Sequence, residues 1–139
     1  MLLKRFFLAP LAFLVLLASH DVSLASNFDG SWNVRQVCPR AKDGASAYAW
    51  SYVARVKDGT IEANYAPKMG SIRLRGAIKP DGTSELTADG VTGPSEYSVG
   101  HVAQGSPVHY HIRAKFDATR GRGERVEQRQ CSFTFTKAH

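Results

Sequence analysis

Residues 47–66 alternate in character, and the alternation breaks once, at Asp58-Gly59. Tyr48, Trp50, Tyr52, Ala54 and Val56 take every second position of the first arm. Ile61, Ala63 and Tyr65 do the same in the second, with Thr60, Glu62 and Asn64 between them. Successive side chains of an extended chain point to opposite faces, so a period of two describes a strand with one buried side. An Asp-Gly pair between two such arms predicts a two-residue turn with both residues at positive φ, and hence a β-hairpin.

The same pattern recurs along the chain. Residues 30–37 place Trp32, Val34 and Gln36 on one side and Asn33, Arg35 and Val37 on the other, and Cys38-Pro39 ends the run. Residues 71–79 turn Ile72, Leu74, Gly76 and Ile78 inward and Ser71, Arg73, Arg75 and Lys79 outward. A weaker alternation through Leu86 and Ala88 covers 83–89. Over 108–117, Val108, Tyr110, Ile112, Ala114 and Phe116 oppose His109, His111, Arg113, Lys115 and Asp117. The final run, 124–136, begins with Val126 in one phase and ends with Cys131, Phe133 and Phe135 in the other, which predicts a bulge or a change of sheet near 128–130. Pro67-Lys68-Met69-Gly70, Pro80-Asp81-Gly82 and Gly121-Arg122-Gly123 read as turns. Residues 90–107 break the pattern with repeated glycine and proline. They read as a functional loop or as a segment hiding a short element.

About seven or eight short strands joined by tight turns, with no helical period beyond the leader, predict an all-β antiparallel meander. A closed β-barrel is favoured and a β-sandwich is the alternative. Two cysteines, Cys38 and Cys131, lie near the two ends of the domain. A disulfide between them would bring the first strand beside the last, which closes a meander and removes its edges.

The compartment is written at the start of the chain. Lys4 and Arg5 precede an apolar run over 6–18, and Ser23-Leu24-Ala25 carries small residues where a signal peptidase reads. Residues 1–25 therefore read as a signal peptide and 26–139 as one domain, periplasmic or secreted, with no membrane span after cleavage. The apolar run is shorter than the roughly 20 residues a bilayer needs. Export also makes a disulfide the default state of the two cysteines. Cleavage removes Lys4, Arg5 and Asp21 from a chain of net charge +6, so the domain stays basic.

Phe28-Asp29-Gly30-Ser31-Trp32 at the start, Asp58-Gly59-Thr60-Ile61-Glu62, Leu74-Arg75-Gly76 and Pro80-Asp81-Gly82 in the middle, and Arg129-Gln130-Cys131-Ser132-Phe133-Thr134-Phe135-Thr136-Lys137 at the end resemble a group of small, uncharacterised exported bacterial all-β proteins. That resemblance covers nearly the whole domain and implies no activity. A weaker likeness is to avidin- and lipocalin-type barrels, through the Gly30-Ser31-Trp32 of the first strand and the Thr134-Phe135-Thr136-Lys137 run of the last. Avidin-type sites are walled by several tryptophans, whereas this domain has only Trp32 and Trp50. Small periplasmic lysozyme inhibitors share the size, the export and the disulfide-tied barrel, but a basic inhibitor would meet like charge on a basic lysozyme.

Trp32, Trp50, Tyr52 and Tyr110 fall on inward positions and Tyr97 lies in the irregular segment, so these five are the candidate ligand-binding residues. Inward aromatic residues either fill a small barrel or line a cavity in it. Arg73, Arg75, Arg113 and Lys115 form a candidate basic face, with Arg120, Arg122, Arg125 and Arg129 also on outward or turn positions and Glu124 and Glu127 interleaved. His109 and His111 share an outward face without a cysteine or acidic partner at ligand spacing, so no metal and no cofactor is expected. No nucleophile elbow, zinc-protease helix or phosphate loop is present. The expected protein is not an enzyme but an exported binding module. It captures a small apolar or aromatic molecule at the barrel mouth or, alternatively, engages an envelope protein or anionic surface through its basic face. Nucleic acid is not an expected partner.

Overall fold

The computed structural model describes residues 27–139, so the leader and its expected cleavage point at Ala25 lie outside the described residues. Eight strands follow one another around a closed antiparallel barrel: β1 Gly30–Cys38, β2 Tyr48–Lys57, β3 Thr60–Tyr65, β4 Ser71–Ala77, β5 Thr83–Val91, β6 Pro107–Phe116, β7 Arg120–Arg125 and β8 Ser132–Lys137. Each strand pairs with its sequence neighbour, and β1 pairs with β8, from Trp32 opposite Lys137 to Val37 opposite Ser132. The barrel, not the sandwich, is the architecture. No helix among the described residues is long and apolar enough to cross a membrane.

The β2–β3 hairpin forms as its turn residues dictate. Lys57 pairs with Thr60, and Asp58 and Gly59 adopt φ of 50° and 74°. The Asp29 carboxylate accepts hydrogen bonds from the N–H groups of both turn residues, at 2.9 and 3.1 Å, which ties the entry of β1 to this turn.

Two of the predicted strand ends are corrected. Residues 124–136 are not one bulged strand: β7 stops at Arg125, residues 126–131 form a loop with Gln128 at φ 72°, and β8 starts at Ser132. The phase change in the sequence is this loop. Gly121-Arg122-Gly123 is not a turn but the middle of β7. Its glycines are required by packing across β6, since a Cβ at Gly121 would sit 2.6 Å from the Phe116 ring and one at Gly123 2.9 Å from Ile112. The irregular segment after β5 holds two short 3-10 turns, Ser95–Tyr97 and Val99–His101.

The two ends of the barrel differ. At one end the connections are short, and Phe28, Trp32, Phe116 and Phe135 fill the interior, with Trp32 edge-on to Phe116 at 5.5 Å between centroids. The middle layer of Val34, Val56, Ile61, Leu74, Leu86, Ile112 and Phe133 is buried throughout. At the other end four longer connections, residues 39–47, 66–70, 92–106 and 126–131, rise from the strands. There Cys38 and Cys131 are disulfide-bonded, joining the end of β1 to the residue before β8.

Candidate functional site

Above the filled middle layer the barrel opens into a cavity of about 690 Å³. Its floor is polar and satisfied. Gln36, fully buried on β1, donates from Nε2 to the hydroxyls of Tyr110 at 3.2 Å and Tyr48 at 3.4 Å, and its Oε1 accepts from Tyr52 at 3.4 Å. Burial pushes all three tyrosines above the ordinary phenol range, so they act as neutral hydroxyls.

One wall is aromatic. Alternation along β2 puts Tyr48 and Trp50 on the inner face, 5.3 Å apart between ring centroids, and Tyr65 of β3 continues the column 5.5 Å from Trp50. Ile72 and Val108 complete the apolar lining lower down, and Met69, Val91 and Val102 carry it to an exposed rim. The 66–70 and 92–106 connections meet over this wall: a Cβ at Gly70 would lie 3.1 Å from the Gly93 nitrogen and 3.4 Å from Trp50.

The 92–106 segment is the cover, with Tyr97, Ser98, Val99 and Val102 over the cavity. It is tied down by the 39–47 connection, where Gly100 N–H donates to the Asp43 carboxylate at 2.6 Å and Ser46 N–H to the Glu96 carbonyl at 2.7 Å. The N–H groups of Gly100 and Ala45 hold the Asp43 pKa below its usual value.

The opposite wall holds two arginines, which corrects their expected outward placement. Arg125 and Arg129 are 9% and 8% exposed and both line the cavity. The Arg125 guanidinium lies 3.8 Å from the centre of the Tyr110 ring, and donates from Nε to the Glu127 carbonyl at 2.8 Å and from Nη2 to Gln128. Arg129 lies over Tyr48 at 5.4 Å. It donates to the carbonyls of Tyr97 at 3.0 Å and Pro39 at 2.5 Å, with a longer contact to Ser46 at 3.5 Å. It thereby joins three of the four connections at this end. The inward parity of Arg125 was available in the sequence from Gly121 and Gly123, four and two residues earlier on the same strand. Reading those glycines as a turn hid it.

Of the five candidate ligand residues, Trp50, Tyr97 and Tyr110 line the cavity. Tyr52 lies beneath it, its hydroxyl on Gln36 and its ring stacked on Tyr65 at 5.4 Å. Trp32 is at the other end of the barrel, fully buried, with its indole N–H donating to the Phe28 carbonyl at 2.7 Å. The structure does not bring it to the mouth.

Arg73, Arg75, Arg113 and Lys115 are exposed on β4 and β6 as expected. The strand between them, β5, places Asp89 opposite Arg73 and Glu85 opposite Arg113. Arg73 also pairs with Glu62 at 3.3 Å and Arg75 with Asp89 at 3.7 Å. This surface is one of alternating sign. His109 and His111 stand perpendicular, 5.1 Å apart, and each is held by a carboxylate: His109 by Asp89 at 2.6 Å and His111 by Glu127 at 2.7 Å. Among the described residues no three histidine, cysteine or acidic side chains converge on a metal-sized site.

Compared with protein-family models, with curated proteins and with solved structures, the chain has no match to any of them.

Proposed function

We propose that this protein is an exported binding module, periplasmic or secreted, that holds a small apolar or aromatic molecule in the cavity at the long-loop end of its barrel. One observation carries the reading: a cavity of about 690 Å³ at one end of a barrel that is otherwise filled. Small-molecule sites typically fall between about 300 and 1,000 Å³, are mostly apolar and carry a few convergent polar groups. Trp50 and Tyr48 supply the apolar wall, the 92–106 segment the cover, and the Gln36 cluster a polar floor. The Cys38–Cys131 disulfide fits an oxidising compartment. The interleaved charges on β4, β5 and β6 favour the cavity over the outer face as the place of capture.

Native mass spectrometry of the oxidised protein purified from cells, against its denatured mass, tests the reading together with a fluorescence titration. The titration uses the uncharged probe N-phenyl-1-naphthylamine. A native mass in excess of the denatured one, and one-to-one binding of the probe that Trp50→Ala weakens by about tenfold or more, is the expected result. Equal masses together with no binding of the probe would overturn it.

A further inference from the structure

Resting on that reading, we infer that the molecule the cavity takes is an organic acid, an apolar body with a single anionic head, and that Arg125 and Arg129 receive the head. Arg125 and Arg129 are largely buried side chains, and a buried cation without a counter-charge is costly. Among the described residues neither forms an ion pair with a carboxylate. The acids in electrostatic reach of them, Glu127 and Asp43, are committed elsewhere, and so is Asp89 on the cavity lining. Glu127 accepts from the N–H and the ring of His111, Asp43 from the N–H groups of Gly100 and Ala45, and Asp89 from His109 with Arg75 beside it.

The protein uses only part of the hydrogen-bonding capacity of these arginines. Their faces are covered by Tyr110 and Tyr48, and their protein acceptors are neutral: the carbonyls of Glu127, Tyr97, Pro39 and Ser46 and the Gln128 amide. The Nε of Arg129 is buried with no partner. The Nη1 of Arg125 has no acceptor among the described residues either. Arg125 thus keeps a free donor at its edge, Arg129 keeps an unsatisfied donor that is buried, and two positive charges share one wall. Planar guanidinium donors match the oxygens of a carboxylate, sulfonate or phosphate, and such bonds are about twice as strong as neutral ones. Asp89, the one carboxylate on the cavity lining among the described residues, is 40% exposed at the rim and already paired, and Lys68 also lines the cavity. The rest of the wall is mostly apolar, which sets the remainder of the ligand.

Two probes of the same ring system separate the charge from the body: 1-anilinonaphthalene-8-sulfonate and its uncharged parent, N-phenyl-1-naphthylamine. At near-physiological salt, where interactions between exposed charges are screened, the sulfonate is expected to bind about tenfold or more tightly than the parent, at one site per chain. Arg125→Gln should weaken the sulfonate about tenfold more than the parent, whereas Arg73→Gln and Arg113→Gln on the outer face should leave the preference intact. Equal affinities in the native protein, or a preference that survives Arg125→Gln, would overturn the inference while leaving the cavity reading in place. Binding of neither probe would overturn the inference and, together with equal native and denatured masses, the cavity reading as well.

Should Arg125→Gln fail to fold, displacement of the sulfonate from the native protein decides. Decanoate is expected to displace it at a concentration about tenfold below decanol. Equal potency of the two would reject an anionic head.

Discussion

Gln36 is the residue on which the floor of the cavity turns. Its amide is fully buried and serves three tyrosine hydroxyls, and among the described residues the Tyr52 hydroxyl has Gln36 as its one hydrogen-bond partner. Replacing the amide by an apolar isostere strands those hydroxyls. A buried polar group left without a partner costs about 1–3 kcal/mol. Gln36→Leu is therefore expected to lower unfolding stability by that amount in a urea titration. Gln36→Glu tests the polarity of the site differently, because a carboxylate cannot donate to Tyr48 and Tyr110. A stability equal to that of the native protein in Gln36→Leu would mean the cluster contributes nothing. The inward side of Gln36 was legible from its parity with Trp32 and Val34, but its height in the barrel was not. That height separates Trp32, packed on Phe116, from Trp50, on the cavity wall. Alternation tells which face a side chain takes; only register across several strands tells which layer.

At the scale of elements, the 126–131 loop carries Arg129, follows directly on Arg125 at the end of β7, and is fastened to β6 through His111. Val126 N–H donates to the His111 carbonyl at 2.9 Å, His111 N–H to a Glu127 oxygen at 2.8 Å, and the His111 ring meets the other oxygen at 2.7 Å. The hydrogen bond to Glu127 raises the His111 pKa above 6.5, and the bonds to the His111 ring and N–H lower the Glu127 pKa below 4.5. The raised histidine contributes stability that is complete below its unfolded pKa and lost as pH rises through the folded one. The lowered carboxylate contributes stability that is complete above its unfolded pKa and lost as pH falls through the folded one. The difference in melting temperature between the native protein and Glu127→Gln should therefore peak at pH 5–6, between those two ordinary values, and shrink on either side. A difference that is flat with pH would show that the pair is not ionic.

The disulfide acts on the same loop from its other end. It closes a span of 93 residues, for which chain entropy gives about 4–5 kcal/mol. Cys38→Ser with Cys131→Ser should lower stability by up to that amount. A loss below about 1 kcal/mol would place the closure of the barrel in the β1–β8 ladder alone. The eight-strand meander was nearly all legible because most strands alternate cleanly. The β7–β8 split was not, because glycines that make room for Phe116 and Ile112 are indistinguishable in sequence from glycines that turn a chain.

For the whole molecule, the division into a filled end and a hollow end is a statement about stability as well as binding. Parity alone could not reveal it, since whether inward aromatic rings fill or line a barrel depends on the summed volume of each layer. Buried, densely contacted segments open only with global unfolding, while segments with few apolar contacts open locally. Trp32, Ala54, Val56, Ile61 and Phe135 lie in the filled half, whereas 92–106 is held over the cavity by a few hydrogen bonds with Asp43, Ser46 and Arg129. Amide exchange should be slowest around the first group and fast across 92–106. A ligand that binds only the folded state adds stability by mass action, and its contacts decide where protection rises. Saturating 1-anilinonaphthalene-8-sulfonate should slow exchange at Tyr97 and Val99 and at Arg125 and Arg129, by more than the uniform gain seen at Ile61 and Phe135. An increase of equal size at every site would place the probe outside the cavity. The net positive charge of the protein draws an anion toward the surface at any approach, so the local pattern, and not the affinity alone, identifies the cavity as its destination.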